Sequence, residues 1–570
     1  MRWIFYNKNI DDEVFKKLKL NYNFSDHILK IFINRGFDTK EKIDKILNID
    51  KSSFYSPFLF EDMEKAVNRV IKAIENKEKI VIYGDYDVDG VTAIVILVRF
   101  FKDELKYRNI AYYIPDRFDE GYGLNKEAIY SIKKEGCSLL ITVDCGINSK
   151  EEVKFAFKNE IDVIVTDHHM PDINNFPEDA VAVINPKNSS NYPDKELSGV
   201  GVAYKLICGI AEKINLDIKD KFLDFVTLGT IADIVPLSYE NRIIVRKGLK
   251  QLSNPENMGL KILKEKSGFK NNQPVATYHI GYILGPRINA AGRLEHAKKA
   301  VELFLSDDVN EIENIAEYLN NINNERKSIM GKIELEALKK IEGKFDEKEN
   351  FIISLFDPNW NAGVIGLVAS KISKKFFRPT IIFTKGENGL LHGSARSIYS
   401  VNIYETLKIA EKYIERFGGH KLAAGVILKM ENLESFTKII NDYLKLNKTA
   451  EDFVNIIYID DIIKEKIDIK EIKFLEYLQP WGEGNPAPNF LLEDVEIKEV
   501  KFYKNNTLKF YGLHNGKYYN FIIFNHDETI KNIFNEKIFL NIIVTPSINL
   551  WNEAESLQLE VKDIKKSKNL

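Results

Sequence analysis

Apolar and polar positions alternate along the first third of the chain in two rhythms. EDMEKAVNRVIKAIENKE (61–78) spaces its apolar residues three and four apart, which predicts a helix. KIVIYG (79–84) is a short apolar run and predicts a buried strand. The pair then repeats. Val91 to Lys106 reads as a helix, NIAYYIP (109–115) as a strand, and NKEAIYSIKKEG (125–136) as a helix stopped by glycine. SLLITV (138–143), SKEEVKFAFKNE (149–160) and IDVIVT (161–166) continue as strand, helix and strand. Strands alternating with helices of this length predict a parallel sheet covered on both faces. Such sheets bind ligands beyond the carboxyl ends of their strands.

Residues 200–255 are mainly helical in pattern, and the polar stretch 307–345 predicts a connecting helix. A second α/β pattern starts at FIISLF (351–356), runs through VIGLVASKISKKF and PTIIFT (379–384), and closes near GGHKLAAGV (418–426). From about 452 the runs FVNIIYI, NFLLEDVEIKEVKFY, TLKFYGL, YYNFIIF and IFLNIIV predict a small β-barrel. The resulting division is a leader (1–60), an α/β catalytic domain (61–306), a connecting helix (307–345), a second α/β domain (346–450) and a barrel (451–570). Within the leader, Asp26 to Asp50 predicts a short helical unit and SPFLF (56–60) an extended attachment; neither carries evident chemistry.

The 570 residues are 44% hydrophobic and 29% charged, which supports folded cores and excludes global disorder. The net charge of -3 advertises no polyanion partner for the whole chain, although nucleic-acid grooves are local features. Three cysteines, Cys137, Cys145 and Cys208, match no zinc spacing and are too few for a disulfide scaffold. No apolar run reaches the roughly 18–20 residues of a membrane span, so the expected location is cytoplasmic, with no membrane partner.

The chemistry concentrates at predicted strand ends. YGDYDVDG (83–90) places Asp85, Asp87 and Asp89 directly after a strand. Carboxylates this close repel one another unless cations neutralise them. ITVDCG puts Asp144 after the next such strand, and IVTDHH puts Asp167, His168 and His169 after a third. Asp233, in LGTIADIVPL, sits near a helix end before Pro236. Taken singly, each is as well explained as a helix cap or solvated turn; three strand ends converging on one sheet edge predict a metal centre. Mixed Asp and His ligation suits Mn²⁺, with Mg²⁺ or Co²⁺ as alternatives.

GDYDVDG, VDCG and DHH resemble the signature runs of the DHH phosphoesterases. The ordered series IPDRFDEGYGL (114–124), LSGVGVAYKL (197–206), ADIVPL (232–237), GPRINAAGRL (285–294), GSARS (393–397), GGHKLAAG (418–425) and QPWGEGNPAP (479–488) resembles their RecJ-type single-strand-specific DNA exonucleases. The resemblance implies a DHH catalytic domain, a DHHA1-like substrate-binding domain and an OB-like barrel. It implies two ions: Asp87 as a ligand of one, with Asp85 in place of the histidine that small relatives carry at the position of Tyr83. Asp89, His168 and Asp233 are implied as ligands of the other, and Asp144 as the bridge. His169 is implied to contact the scissile phosphate, and Asp167 to orient a histidine. The run WNAGVIG departs from the family pattern, having Asn361 where a histidine is usual.

On the substrate side, Arg396 has the fork for bidentate phosphate binding. Ser394, Ser397 and His420 lie with it in glycine-rich runs whose spacing alone suggests surface turns. The resemblance makes these a phosphate-binding region and adds Arg287, Asn289 and Arg293. Lys498, Lys501, Lys504 and Lys509, mixed with Phe502, Tyr503, Phe510 and Tyr511, are either barrel core or a nucleic-acid surface. The implied activity is 5′-to-3′ hydrolysis of single-stranded DNA to 5′-mononucleotides, in recombination and repair. A helicase and a single-strand-binding protein are candidate partners, and a monomer is expected. The alternatives are a DHH-family phosphodiesterase of oligoribonucleotides or cyclic dinucleotides, and a nonenzymatic nucleic-acid-binding protein.

Overall fold

The computed structural model describes the chain apart from residues 7–9, 50–53, 118–119, 219, 238, 271, 387–388, 465–466, 505, 525, 527–529, 531–532, 535–538, 552–553 and 568–570. It divides into two compact units. The larger holds Trp3–Gly285, Phe304–Asp307 and Ile457–Leu570, and the smaller holds Met1–Arg2, Pro286–Leu303 and Asp308–Ile456.

The larger unit is built on a five-stranded parallel sheet. Its spatial order is Ile110–Tyr113, Lys79–Gly84, Cys137–Val143, Asp162–Thr166, Ala182–Ile184. The second strand in sequence therefore lies outside the first, and the remaining three run away on the other side. The winding reverses between Lys79–Gly84 and Cys137–Val143, the point where open parallel sheets form a crevice at their carboxyl ends. The central strands are buried almost throughout, as expected of a sheet covered on both faces. Helices Val88–Arg99, Gly199–Lys213 and Leu223–Ala232 are themselves mostly buried. The helix expected from Val91 to Lys106 starts earlier, because Asp87 caps it, and ends in a wider π turn over Phe100–Glu104.

The barrel belongs to the same unit. Phe490–Tyr503, Thr507–His514 and Lys517–Ile523 form a meander; Ala554–Lys566 and Phe539–Trp551 complete the circuit back to Phe490–Tyr503. The closing strand Ala554–Lys566 escaped the sequence reading because charged residues interrupt its apolar positions. The run FVNIIYI lies outside the barrel, its strand Ile456–Ile459 pairing with Arg2–Phe5. Phe510 is a core residue, 1% exposed and stacked 4.8 Å from Phe521, which removes it from any nucleic-acid surface.

The N-terminal helices are integrated with the barrel. Helices Asp12–Asn21, Asp26–Asn34 and Lys40–Leu47, each opened by a side-chain cap, contribute Leu29, Phe32 and Ile43 to a core shared with Leu475, Phe490 and Leu492. Arg35 pairs with buried Asp460 at 3.1 Å, and His27 and Lys30 reach Asp461 at 2.6 and 2.9 Å. SPFLF forms a single tight 3₁₀ turn, Pro57–Leu59, where the sequence suggested an extended segment.

The smaller unit contains the connecting helix, Val309–Ile341, and a five-stranded mixed sheet. The strand order is Ile414–His420, Ala423–Lys429, Leu390–Arg396, Thr380–Lys385, Ile353–Phe356, with only the last pair parallel. The glycine-rich runs are strands here, not loose turns. GSAR lies within Leu390–Arg396, and GGHKLAAG is the hairpin end of Ile414–His420 and Ala423–Lys429. No helix among the described residues is long and apolar enough to cross a membrane.

Candidate metal centre

Three successive strand ends deliver carboxylates and histidines to the reversal point of the sheet. Lys79–Gly84 leads directly into Asp85, Cys137–Val143 into Asp144, and Asp162–Thr166 into Asp167, His168 and His169. Asp233 arrives from the C-cap of Leu223–Ala232. Asp144 adopts a left-handed backbone (φ 59°), held by its N–H donating to the Thr166 carbonyl at 3.0 Å. That turn aims its side chain across the strand ends.

Ligand-type atoms within 4.8 Å of one another form two metal-sized groups, Asp85, Asp87 and Asp144 on one side and Asp89, His168 and Asp233 on the other. Asp144 joins them, its Oδ1 lying 3.2 Å from His168 Nε2, which is itself 3.5 Å from Asp233 and 4.0 Å from Asp89. Asp144, His168 and His169 form a third such group.

The electrostatics demand cations. Burial first, and then the Asp87 charge, push Asp89 up to about 7. Burial and neighbouring carboxylates also push Asp85, Asp144 and Asp233 well above the usual range. Asp85 Oδ1, Asp144 Oδ1 and His168 Nε2 are buried without a hydrogen-bond partner. Orphaned acceptors around one small space fit divalent cations, since buried polar atoms otherwise find partners. Burial and the His169 charge lower His168 to about 3, so its imidazole is neutral, the form that can ligate a metal.

Asp167 is built differently. Its Oδ1 accepts from the backbone N–H groups of His168 (2.7 Å) and His169 (3.1 Å) and from His169 Nδ1 (2.8 Å), and Oδ2 accepts from Ile147 N–H (3.0 Å). Burial alone would raise its pKa, but these donors and the histidine charges bring it down to about 2. A carboxylate saturated in this way holds the His169 ring and the backbone N–H groups of both histidines. For His169, burial pulls the pKa down, but the Asp167 hydrogen bond together with the Asp167, Asp233 and Asp85 charges raises it to about 9, which favours the cationic ring at neutral pH.

Residues that sequence reasoning passed over complete the surroundings. Asp89 accepts from Gly199 N–H (2.6 Å) and Val200 N–H (2.9 Å), in the first turn of Gly199–Lys213. A Cβ at Gly199 would fall 2.6 Å from Asp144 Oδ1, and one at Gly229 2.6 Å from Asp89 Oδ1. Tyr122 OH donates to the Asp144 carbonyl at 3.1 Å and lies 3.1 Å from His169 Nδ1. Lys187 Nζ donates to the His168 carbonyl at 2.7 Å. Tyr122 and Gly199 stand in runs that the sequence had marked as family-like, but only the fold brings them to the acids.

The other predicted site residues lie in the smaller unit. Arg396 Nη1 donates to Ser394 Oγ (3.2 Å) and the Ala395 carbonyl (2.7 Å), and both side chains lie over Gly366, in the first turn of Ile365–Phe376. Arg293 reaches the same helix start: its carbonyl packs on Gly363, and its guanidinium lies 3.4 Å from the Gly363 carbonyl. Asn361 Oδ1 accepts from Gly363 N–H at 2.9 Å and so shapes that helix start. Ser397 Oγ donates to the Val401 carbonyl (2.8 Å) and closes a turn. His420 is exposed at the hairpin end, and Arg287 and half-buried Asn289 lie on Gly285–Leu294.

A doubly wound sheet with aspartates and a histidine pair at its reversal point defines the DHH phosphoesterase class. The DHH family N-terminal domain matches residues 79–230, the DHHA1 domain 348–446 and the RecJ OB domain 460–563. The single-stranded-DNA-specific exonuclease RecJ of Bacillus subtilis is 36% identical over 99% of this chain and 70% of its own. Its counterpart in Escherichia coli is 33% identical over 75% and 77%. The crystal structure of RecJ with Mn²⁺ from Thermus thermophilus superposes with a TM-score of 0.84 at 26% identity, covering 100% of this chain and 80% of that one. The chain belongs to the RecJ family.

Proposed function

We propose that this protein is a metal-dependent exonuclease of single-stranded DNA that works from 5′ to 3′, releases 5′-mononucleotides and serves recombination and repair. The observation that carries this reading is the pair of ligand groups joined at Asp144, set in a chain of which 99% matches the RecJ of Bacillus subtilis. Mn²⁺, with Mg²⁺ as the alternative, is the proposed metal, because a RecJ relative is known with each. Asp85, Asp87 and Asp144 would hold one ion and Asp89, His168, Asp233 and Asp144 the other. When bound, two such ions polarise the phosphate and acidify the attacking water.

The chain's own groups then divide the remaining work. Cationic His169, fixed by Asp167, donates toward a phosphate oxygen or the leaving oxygen as charge develops there. Arg396, Ser394 and Arg293 gather donors at one helix start, an arrangement that favours a phosphate. On the barrel, Tyr503, Tyr511 and Tyr518 are 50%, 44% and 61% exposed on adjacent strands, with Lys501 and Lys509 paired across the same face. Exposed rings interleaved with lysines suit base stacking along a single strand. A single-strand-binding protein and a helicase are the proposed partners of a monomeric enzyme.

The test is digestion of matched 5′- and 3′-labelled single strands, duplexes and RNA, with and without Mn²⁺. Mononucleotides should appear first from the labelled 5′ end of single-stranded DNA. Equal attack on duplex, preference for RNA, or metal-independent cleavage would overturn the reading.

A further inference from the structure

The long helix Val309–Ile341 carries a group of hydrogen-bond donors remote in sequence from every site described so far. Asn320, Asn323 and Lys327 are three and four residues apart and so share one side of the helix, with Arg326 beside them. Arg287, on Gly285–Leu294 of the same unit, donates from Nε to Asn320 Oδ1 at 3.1 Å. Arg326 donates from Nε and Nη2 to Asn323 Oδ1 at 3.3 and 2.9 Å.

That second contact fixes the chemistry of the amide. With Oδ1 turned to the guanidinium, Asn323 presents Nδ2 as a donor. Asn323 is fully buried, and Nδ2 has no partner. Arg326 is 8% exposed, and among the described residues no carboxylate pairs with it or with Lys327. The positive charges also feel one another: burial, then the Arg287 and Arg326 charges, lower the Lys327 ammonium from its ordinary value. Burial lowers both guanidinium groups as well. Asn323, Arg326 and Lys327 therefore offer donors and positive charge without a protein anion. Such a cluster is costly unless something negative fills it.

We propose that Asn323, Arg326 and Lys327, together with Arg287, form a phosphate-binding station for the backbone of a single-stranded nucleic acid. This rests on the exonuclease reading above and extends it to the connecting helix, which that reading leaves without a role. The occupant is a strand phosphate because the cluster opens to solvent at exposed Lys327, as a passing polymer requires. A trapped structural anion would be enclosed on every side. The same donors would accept free phosphate, so the test separates the two.

The full-length chain is compared with its Lys327→Gln and Arg326→Met variants. Anisotropy of a labelled oligothymidine is measured in EDTA across a salt series, and thermal melting with and without inorganic phosphate. Each folded variant should lower the slope of log affinity against log salt by about 0.7, the single-strand value for one lost phosphate contact. Lys327→Gln changes an exposed side chain, so it keeps the test decisive if Arg326→Met does not fold. Unchanged slopes in a wild type that digests single strands would overturn the station and leave the exonuclease reading standing. A phosphate-induced melting shift lost in the variants, with strand slopes unchanged, would assign the cluster to free phosphate and overturn its role on the strand. A wild type that neither binds nor digests single strands would sink both readings.

Discussion

At the scale of single residues, the centre depends as much on atoms that are missing as on ligands. Asp144 stands in both the Asp85–Asp87 group and the His168–His169 group. Asp144→Asn should therefore abolish Mn²⁺-dependent hydrolysis and lower the bound metal below two ions per chain, read by elemental analysis after gel filtration. Wild-type stoichiometry in the variant would remove Asp144 from the bridging position proposed for it. Gly199 has no functional atom of its own, but a methyl group there meets the Asp144 carboxylate at 2.6 Å. Gly199→Ala should fold and yet lose on the order of 100-fold in turnover, the cost of displacing a catalytic group by about an ångström. Single-turnover rates at saturating metal would check it; a loss that extra metal fully repairs would point to affinity instead.

At the scale of elements, the turn after Ala182–Ile184 is held by one carboxylate. Glu61 accepts from Ser190 N–H (2.9 Å), Ser190 Oγ (2.7 Å) and Asn191 N–H (3.2 Å), as well as from the Ser189 hydroxyl. Burial opposes the ionised form, but these donors prevail and bring the carboxyl down from 4.5 to about 2. A folded pKa below the unfolded one stabilises the ionised native state. The contribution is present in full above about pH 4.5 and fades as pH falls through 2. Glu61→Gln should thus be less stable than wild type at pH 7, with the gap closing between pH 4.5 and 2. Urea unfolding at a series of pH values measures it, and a gap independent of pH would assign the effect to packing.

At the scale of the whole molecule, the N-terminal helices and the barrel share one core. Phe32 is fully buried there and lies 5.1 Å from Phe24, which meets Phe474 at 5.0 Å. Phe32→Ala should cost about 3–5 kcal/mol and loosen the barrel together with the leader. Hydrogen exchange at Leu492 and Leu540 would report the coupling; protection unchanged there would show that the two regions melt separately. The shared core also rules against cutting the chain near residue 452 to test the barrel, since the leader would lose its cover. Point changes on the barrel surface are the better probe. Tyr511→Ala with Tyr518→Ala should weaken binding of a strand of about 30 nucleotides by about 1–3 kcal/mol for each stacked base lost, and spare very short substrates. Equal losses on both lengths would exclude a distal stacking role.

The sequence by itself determined the catalytic sheet and its acids. A parallel strand buried on both faces must be a short apolar run, and the residue that follows it must emerge at the sheet's carboxyl edge. Asp85, Asp144 and the Asp167–His169 run were therefore legible without coordinates. Asp233 was weaker because a helix end fixes no such edge. Only the tertiary structure decided the rest, for a common reason: those roles are set by neighbours distant in sequence. Asp167 looks like any other strand-end acid until Ile147 and the two histidines are seen to saturate it. Gly199 and Gly229 look like helix glycines until the acids they make room for are in place. The leader carried no chemical signal because its partners, Asp460, Asp461 and the barrel core, lie more than 400 residues away. Phe510 and Tyr511 are neighbours of similar composition, and only closure of the barrel turned one ring inward and left the other to solvent.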